Sequence, residues 1–227
     1  VDIAEITRRG SGGVTTTPTS PAPAVLPTQQ EIETLYATTV GDAYLKRHSY
    51  PDPKRQPFWR SVVEETQAQS ILEVGVGSGS NLAHMLHVPT LYGIDLHQAS
   101  LEQAKINTQG KAKLYCASAT AIPLPQRSVD LAFTAGCLIH IASGALSRVL
   151  HELGRVSAKY VLLVEYVDTH RRVIPWRGHT GILFADTFHL LFWRANPEYV
   201  PVWRKPLTKE QGFDRVEAVL FQRREGM

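Results

Sequence analysis

Ile71-Leu-Glu-Val-Gly-Val-Gly-Ser-Gly-Ser-Asn81 sets the architecture of this 227-residue chain. A short apolar run ends in an acid, Glu73, and then breaks into glycines at alternate positions, Gly75, Gly77 and Gly79. A strand that stops in such a turn leaves backbone N–H groups and bare Cα atoms facing a ligand. About twenty residues on, Leu91-Tyr-Gly-Ile94 ends in Asp95, where nucleotide-binding α/β folds place the acid that meets a ribose. Together the two runs imply a bound adenosine-type cofactor.

Outward from this turn the chain alternates strands and helices. The periodicity predicts strands at 70–74, 90–95, 112–116, 129–134 and 160–166. Between them it predicts helices at 79–87, 99–108 (stopping at Gly110) and 144–153 (stopping at Gly154). Beyond Tyr166 come a loop to about 182, a helix near 183–194 and two β-rich runs, 199–204 and 215–223. Upstream, Thr28 and Glu31 form a capping-box pattern ahead of Ile32, Leu35, Tyr36 and Val40, and a second helix is expected over 56–67. The fold class is therefore α/β: a doubly wound, mostly parallel, seven-stranded sheet with an antiparallel C-terminal hairpin. Residues 1–27, rich in Thr and Pro, read as a flexible leader; 28–227 read as one domain with a helical lid at 28–68.

Composition narrows the function classes. With 43% hydrophobic and 20% charged residues the chain suits one compact domain. A net charge of +3 with scattered Lys and Arg gives no nucleic-acid surface. No run reaches the ~18 apolar residues of a membrane span. Cys116 and Cys137 read as reduced thiols, consistent with a cytoplasmic protein. No His, Asp, Glu or Cys spacing suggests a metal site.

Starting at Gly75, a dinucleotide fingerprint requires glycine at position 80, which is Ser80. The pattern here is instead E-x-G-x-G-x-G, and the Glu73 carboxylate suits an ammonium better than a pyrophosphate. The sequence resembles the class I S-adenosylmethionine-dependent methyltransferases, which implies S-adenosylmethionine as cofactor and S-adenosylhomocysteine as product. In that resemblance Tyr44, Glu73, Gly75, Gly77, Gly79, Asp95, Leu96, Ser118, Ala119 and Gly136 fall at the cofactor. Many members carry Asp at the position of Ser118, where it meets the adenine amino group; here the contact falls to Ser118, Ala119 or backbone.

Phe133-Thr-Ala-Gly-Cys-Leu-Ile-His-Ile141, Gly41-Asp-Ala-Tyr44, Val161-Leu-Leu-Val-Glu-Tyr166 and Ile174-Pro-Trp-Arg-Gly-His-Thr-Gly181 resemble the methyltransferases associated with pseudaminic acid biosynthesis. That likeness implies a small polar metabolite as acceptor, methylated at N or O. Candidate catalytic residues are His140, Glu165 and His179. Candidate substrate contacts are Tyr36, Cys137, Tyr166, Trp176 and Arg177. Each has a plain reading beside it: packing for Tyr36, Tyr44, Cys137 and Trp176, strand-end pairing for Glu165, a loop ion pair for Arg177 and His179, helix capping for His140. A peptide acceptor, an NAD-dependent oxidoreductase and a non-catalytic binding protein are the competing function classes.

Overall fold

The structure, a computed structural model, describes residues 26–224; the expected leader at 1–27 lies almost wholly outside them. Helix α1 (Gln29–Tyr36) starts at a complete capping box, Thr28 with Glu31, and is followed by α2 (Thr39–Leu45) and α3 (Gln56–Thr66). The sheet is formed by β1 (Ser70–Val74), β2 (Thr90–Asp95), β3 (Ala112–Cys116), β4 (Val129–Ala135) and β5 (Ser157–Glu165), with β8 (Tyr199–Leu207) and β9 (Val216–Arg223) closing it. Helices α4 (Gln98–Asn107), α5 (Ser143–Val156) and α6 (Phe188–Ala195) alternate with them, and β6 (Arg172–Val173) pairs with β7 (Phe184–Ala185).

The seven strands run in the order β3-β2-β1-β4-β5-β9-β8. β1 to β5 are parallel, while β9 inserts antiparallel between β5 and the edge strand β8. Chain direction around the sheet reverses between β1 and β4, so a crevice opens beyond the C-terminal ends of those strands.

Both faces of the sheet are covered, which is why its strands read as nearly continuous apolar runs. Leu72, Ala132, Val161 and Leu163 pack beneath α5 and α6, against Leu146, Leu150, Leu153 and Phe192. Their neighbours Ile71, Leu131, Leu162 and Val164 turn to the other face, against Phe58, Trp59 and Val62 of α3. A smaller cluster joins Ile32 and Val40 to Ile182 and Phe184, tying α1 and α2 to the segment between β5 and α6.

Two expectations fail here. The helix expected over 79–87 is one 3₁₀ turn, Leu82–Met85. Pro89 disfavours helical backbone at Val88, and Asn81 turns its side chain inward to Glu73 rather than along a helix. The helix expected over 183–194 starts only at Phe188, because buried Phe184 and Ala185 are drawn into the β6–β7 pair. β8 also outruns its expected end, passing Pro201 and Pro206; an edge strand tolerates a residue that cannot donate outward.

Candidate active site

The glycine turn is sewn to the strand ends. Gly75 and Val76 both donate to the Ile94 carbonyl, at 2.9 Å each, and the Gly77 N–H reaches Asp95 Oδ2 at 2.8 Å. The His97 N–H holds Asp95 Oδ1 at 2.9 Å, so the carboxylate is locked with its remaining lone pairs outward. Gly77 has φ +50, and a Cβ there would meet only Tyr44 Cε1, 3.7 Å away. That space belongs to the crevice. A Cβ on Gly75 would strike Cys137 Sγ at 2.7 Å, and one on Gly79 would press on Ala104 of α4 at 3.0 Å. The three glycines thus answer three different neighbours.

One wall of the crevice comes from α1 and α2: Gln29, Ile32, Glu33, Tyr36, Gly41 and Tyr44. The floor is Gly75, Gly77, Ile94, Asp95 and Leu96, and the far side is Ala117, Ala119, Gly136, Cys137 and His140. Of the residues expected at a cofactor, Tyr44, Gly75, Gly77, Asp95, Leu96, Ala119 and Gly136 come together here; Gly79, Glu73 and Ser118 do not line the opening.

Glu73 lies behind the turn, 1% exposed. Its Oε1 accepts from Asn81 Nδ2 at 2.7 Å, and Asn81 Oδ1 in turn accepts from Arg55 at 3.1 Å. Oε2 is buried with no partner among the described residues. Burial pushes the Glu73 carboxyl up to about 8. An orphaned acceptor beneath a turn that leaves room for a ligand backbone fits a cationic amino-acid group on the cofactor.

His140 sits at the mouth. Its Nδ1 lies 2.9 Å from the Ile182 carbonyl, which only accepts, so Nδ1 carries the proton; the Tyr36 hydroxyl oxygen lies 2.6 Å from Nδ1 and 3.1 Å from Nε2. Burial lowers the imidazole to about 4. His140 is therefore neutral at physiological pH and weakly basic.

Glu165 is displaced from its expected place at a substrate. It is 1% exposed, and its Oε1 receives the N–H groups of Cys137 and Leu138 at 3.0 and 3.1 Å. It shapes the loop that carries Cys137 and His140 rather than facing the opening. Tyr166 also points elsewhere, donating to Asp214 at 2.7 Å. Trp176, Arg177 and His179, expected at a substrate or in catalysis, do not line the crevice. Trp176 and His179 exchange backbone hydrogen bonds of 2.9 Å across a tight turn, and the Trp176 ring lies 6.0 Å from that of His140. Arg47 and Arg177 approach the same indole, at 5.5 and 5.6 Å from its centroid. Neither makes an ion pair among the described residues, so the loop ion pair weighed for Arg177 is not formed.

Sequence reasoning missed Gln29, Glu33, Gly41 and His97, which line the crevice, and Arg47, which reaches the Tyr44 and Trp176 rings. For Gln29, Ile32, Glu33 and Tyr36 the signal was present as i, i+3, i+4, i+7 spacing on one helical face. Arg47 and His97 gave none, because tertiary packing alone brings them to the site. His97 is buried against Gly41 and bonds Ser100 at 2.8 Å and Asp42 at 3.2 Å.

Residues 71–159 match the sequence model of the family described as "Methyltransferase domain". No curated protein matches the chain by sequence. Among solved structures it is similar to 1,6-didemethyltoxoflavin-N1-methyltransferase of Burkholderia thailandensis, bound to 1,6-didemethyltoxoflavin and S-adenosylhomocysteine, at 16% identity and TM-score 0.67 over 90% of this chain and 94% of that one. Magnesium protoporphyrin IX methyltransferase of Synechocystis PCC 6803, with bound S-adenosylmethionine, aligns at 14% identity and TM-score 0.64 over 89% and 100%. The 4+2 cyclase SpnF aligns at 15% and 0.62 over 88% and 97%. At these identities the likeness is one of fold. The family match spans the glycine turn and Asp95, and the sheet, with β9 inserted antiparallel, has the Rossmann-like methyltransferase fold.

Proposed function

We propose that the protein transfers a methyl group from S-adenosylmethionine to a nitrogen or oxygen of a small polar metabolite. The observation that carries this reading is the crevice itself: a bare Gly77 facing Tyr44, beside an Asp95 carboxylate fixed by two backbone N–H groups. In this reading Asp95 holds the ribose hydroxyls, and the slot of Leu96, Ala117 and Ala119 takes the adenine. The Gly75–Gly77 backbone cradles the amino-acid end, with the Glu73 carboxylate behind it. Bound there, the cofactor supplies a methyl group already activated on a sulfonium.

What remains for the protein is alignment and exclusion of water. The Gly136–His140 loop, propped by Glu165, forms the acceptor side. A neutral His140, held by Ile182 and Tyr36, forms a fixed wall of the acceptor side and is too weak a base to ionise a hydroxyl. Arg47 and Arg177, gathered on the Trp176 indole beside His140, suit a polar, flat or anionic acceptor. The similarity of Ile174–Gly181 to the pseudaminic acid-associated methyltransferases supports a small-molecule pathway. Residues 28–68 act as a lid in one domain with the sheet.

The test is incubation of the protein with methyl-labelled S-adenosylmethionine and a metabolite extract, followed by mass spectrometry. Labelled small-molecule product is expected. Label only on protein or peptide, or none despite cofactor binding, would refute the reading.

A further inference from the structure

At the edge of the adenine slot, in the loop after β3, Ser118 brings only a neutral hydroxyl. The structure nevertheless places a carboxylate there, from a distant part of the chain. Glu33, on α1, lines the crevice with Ile94, Leu96, Ala117 and Ala119, and apart from Asp95 it is the only carboxylate among the described lining residues.

Its position is fixed from two sides. The Ser118 hydroxyl donates to Glu33 Oε1 at 2.6 Å, and Gln29 Nε2 donates to the same oxygen at 3.2 Å. Ser118 Oγ is itself held by the Thr120 N–H at 3.1 Å, and Gln29 Oε1 is engaged by the Ala142 N–H at 2.7 Å. Both supports are thus anchored to other elements: the loop after β3 and the start of α5. All of this fixes one oxygen. Oε2 of Glu33 has no protein donor among the described residues, although it sits at the edge of an apolar slot. A half-buried carboxylate with one oxygen fixed and the other open at the slot can accept from an N–H donor.

Resting on the donor reading above, we propose that Glu33 recognises the exocyclic amino group of the cofactor's adenine, and that Ser118 positions Glu33. The base is then read from the N-terminal helix rather than from the sheet. Ring systems with an amino group at that edge are favoured, and those with a carbonyl oxygen there are rejected, because two acceptors would face each other.

Calorimetry with S-adenosylhomocysteine and its 6-oxo analogue, S-inosylhomocysteine, tests this. The unaltered protein should prefer the amino compound by tenfold or more, as expected for a hydrogen bond to a charged group. Glu33→Ala should lose most of that preference by weakening the amino compound while sparing or improving the oxo compound. A general loss of fold would lower both together. Ser118→Ala should reduce the preference partially. Equal discrimination in Glu33→Ala and the unaltered protein would overturn the assignment and leave the donor site standing. Failure of the unaltered protein to bind either compound would overturn the donor reading, and this inference with it.

Discussion

Replacing Gly77 by alanine separates a ligand-facing glycine from a merely structural one. The backbone there has φ +50, so any Cβ costs about 1–2 kcal/mol for the left-handed conformation. No further clash follows, because Tyr44 Cε1 stands at an ordinary 3.7 Å. For a domain of this size that strain lowers the melting temperature by about 2–8 °C. The new methyl group nevertheless projects into the crevice, where overpacking against a bound ligand costs a further ~1–3 kcal/mol, or about 5- to 150-fold in affinity. Gly110→Ala is the matched control: φ is +72, nothing lies within 4 Å of its Cβ, and it is outside the crevice. Thermal melts of the two variants should resemble each other, while calorimetry with S-adenosylhomocysteine should show loss of affinity only in Gly77→Ala. Unchanged affinity in Gly77→Ala, or equal loss in Gly110→Ala, would refute the reasoning.

Glu73 binds a proton more tightly in the fold, up to about 8, than its ordinary 4.5. The folded state therefore holds the extra proton between those values, and stability falls as pH rises through that window, by at most ~1.4 kcal/mol per unit. Urea unfolding of ligand-free Glu73→Gln should show a flatter decline from pH 5 to pH 8 than the unaltered protein; parallel curves would contradict the burial argument. His140, lowered to about 4, is neutral across pH 6–9, so the turnover profile should contain no limb belonging to it there. A limb near 6.5 that disappears in His140→Ala would contradict that. Tyr199→Phe should cost about 1–3 kcal/mol in denaturant unfolding, because the buried hydroxyl donates toward the Gly154 and Ser157 carbonyls and accepts from Arg223. A loss below ~0.5 kcal/mol would show that water replaces those bonds.

The parallel half of the sheet was legible because buried strands carry a signal independent of partners. Ile71–Val74, Leu91–Ile94 and Leu131–Phe133 are apolar runs cut by glycine or acid, and their expected bounds fall within a few residues of the observed ones. Asp95 and the Gly75–Gly77 turn were legible for the same reason: their spacing is set by local backbone. What failed depends on distance in sequence. Asn81 abandons a helix for a buried acid eight residues back, and Phe184 is captured by the β6–β7 pair and by Ile32 and Val40. Local periodicity contains neither fact. Glu165 looked free at the end of an apolar strand, yet one oxygen of its carboxylate is held by backbone N–H groups of the neighbouring loop. Glu33 was hidden differently: an acid on an amphipathic helix reads as solvated until Ser118 is found 85 positions away in sequence, 2.6 Å away in space.

The most direct test of the whole account is a crystal structure of the protein with S-adenosylhomocysteine. The account requires the ribose hydroxyls on Asp95, the amino-acid tail over Gly75–Gly77 and the adenine between Leu96 and Ala119. A nucleoside bound in any other place, or with its sugar turned away from Asp95, would contradict it.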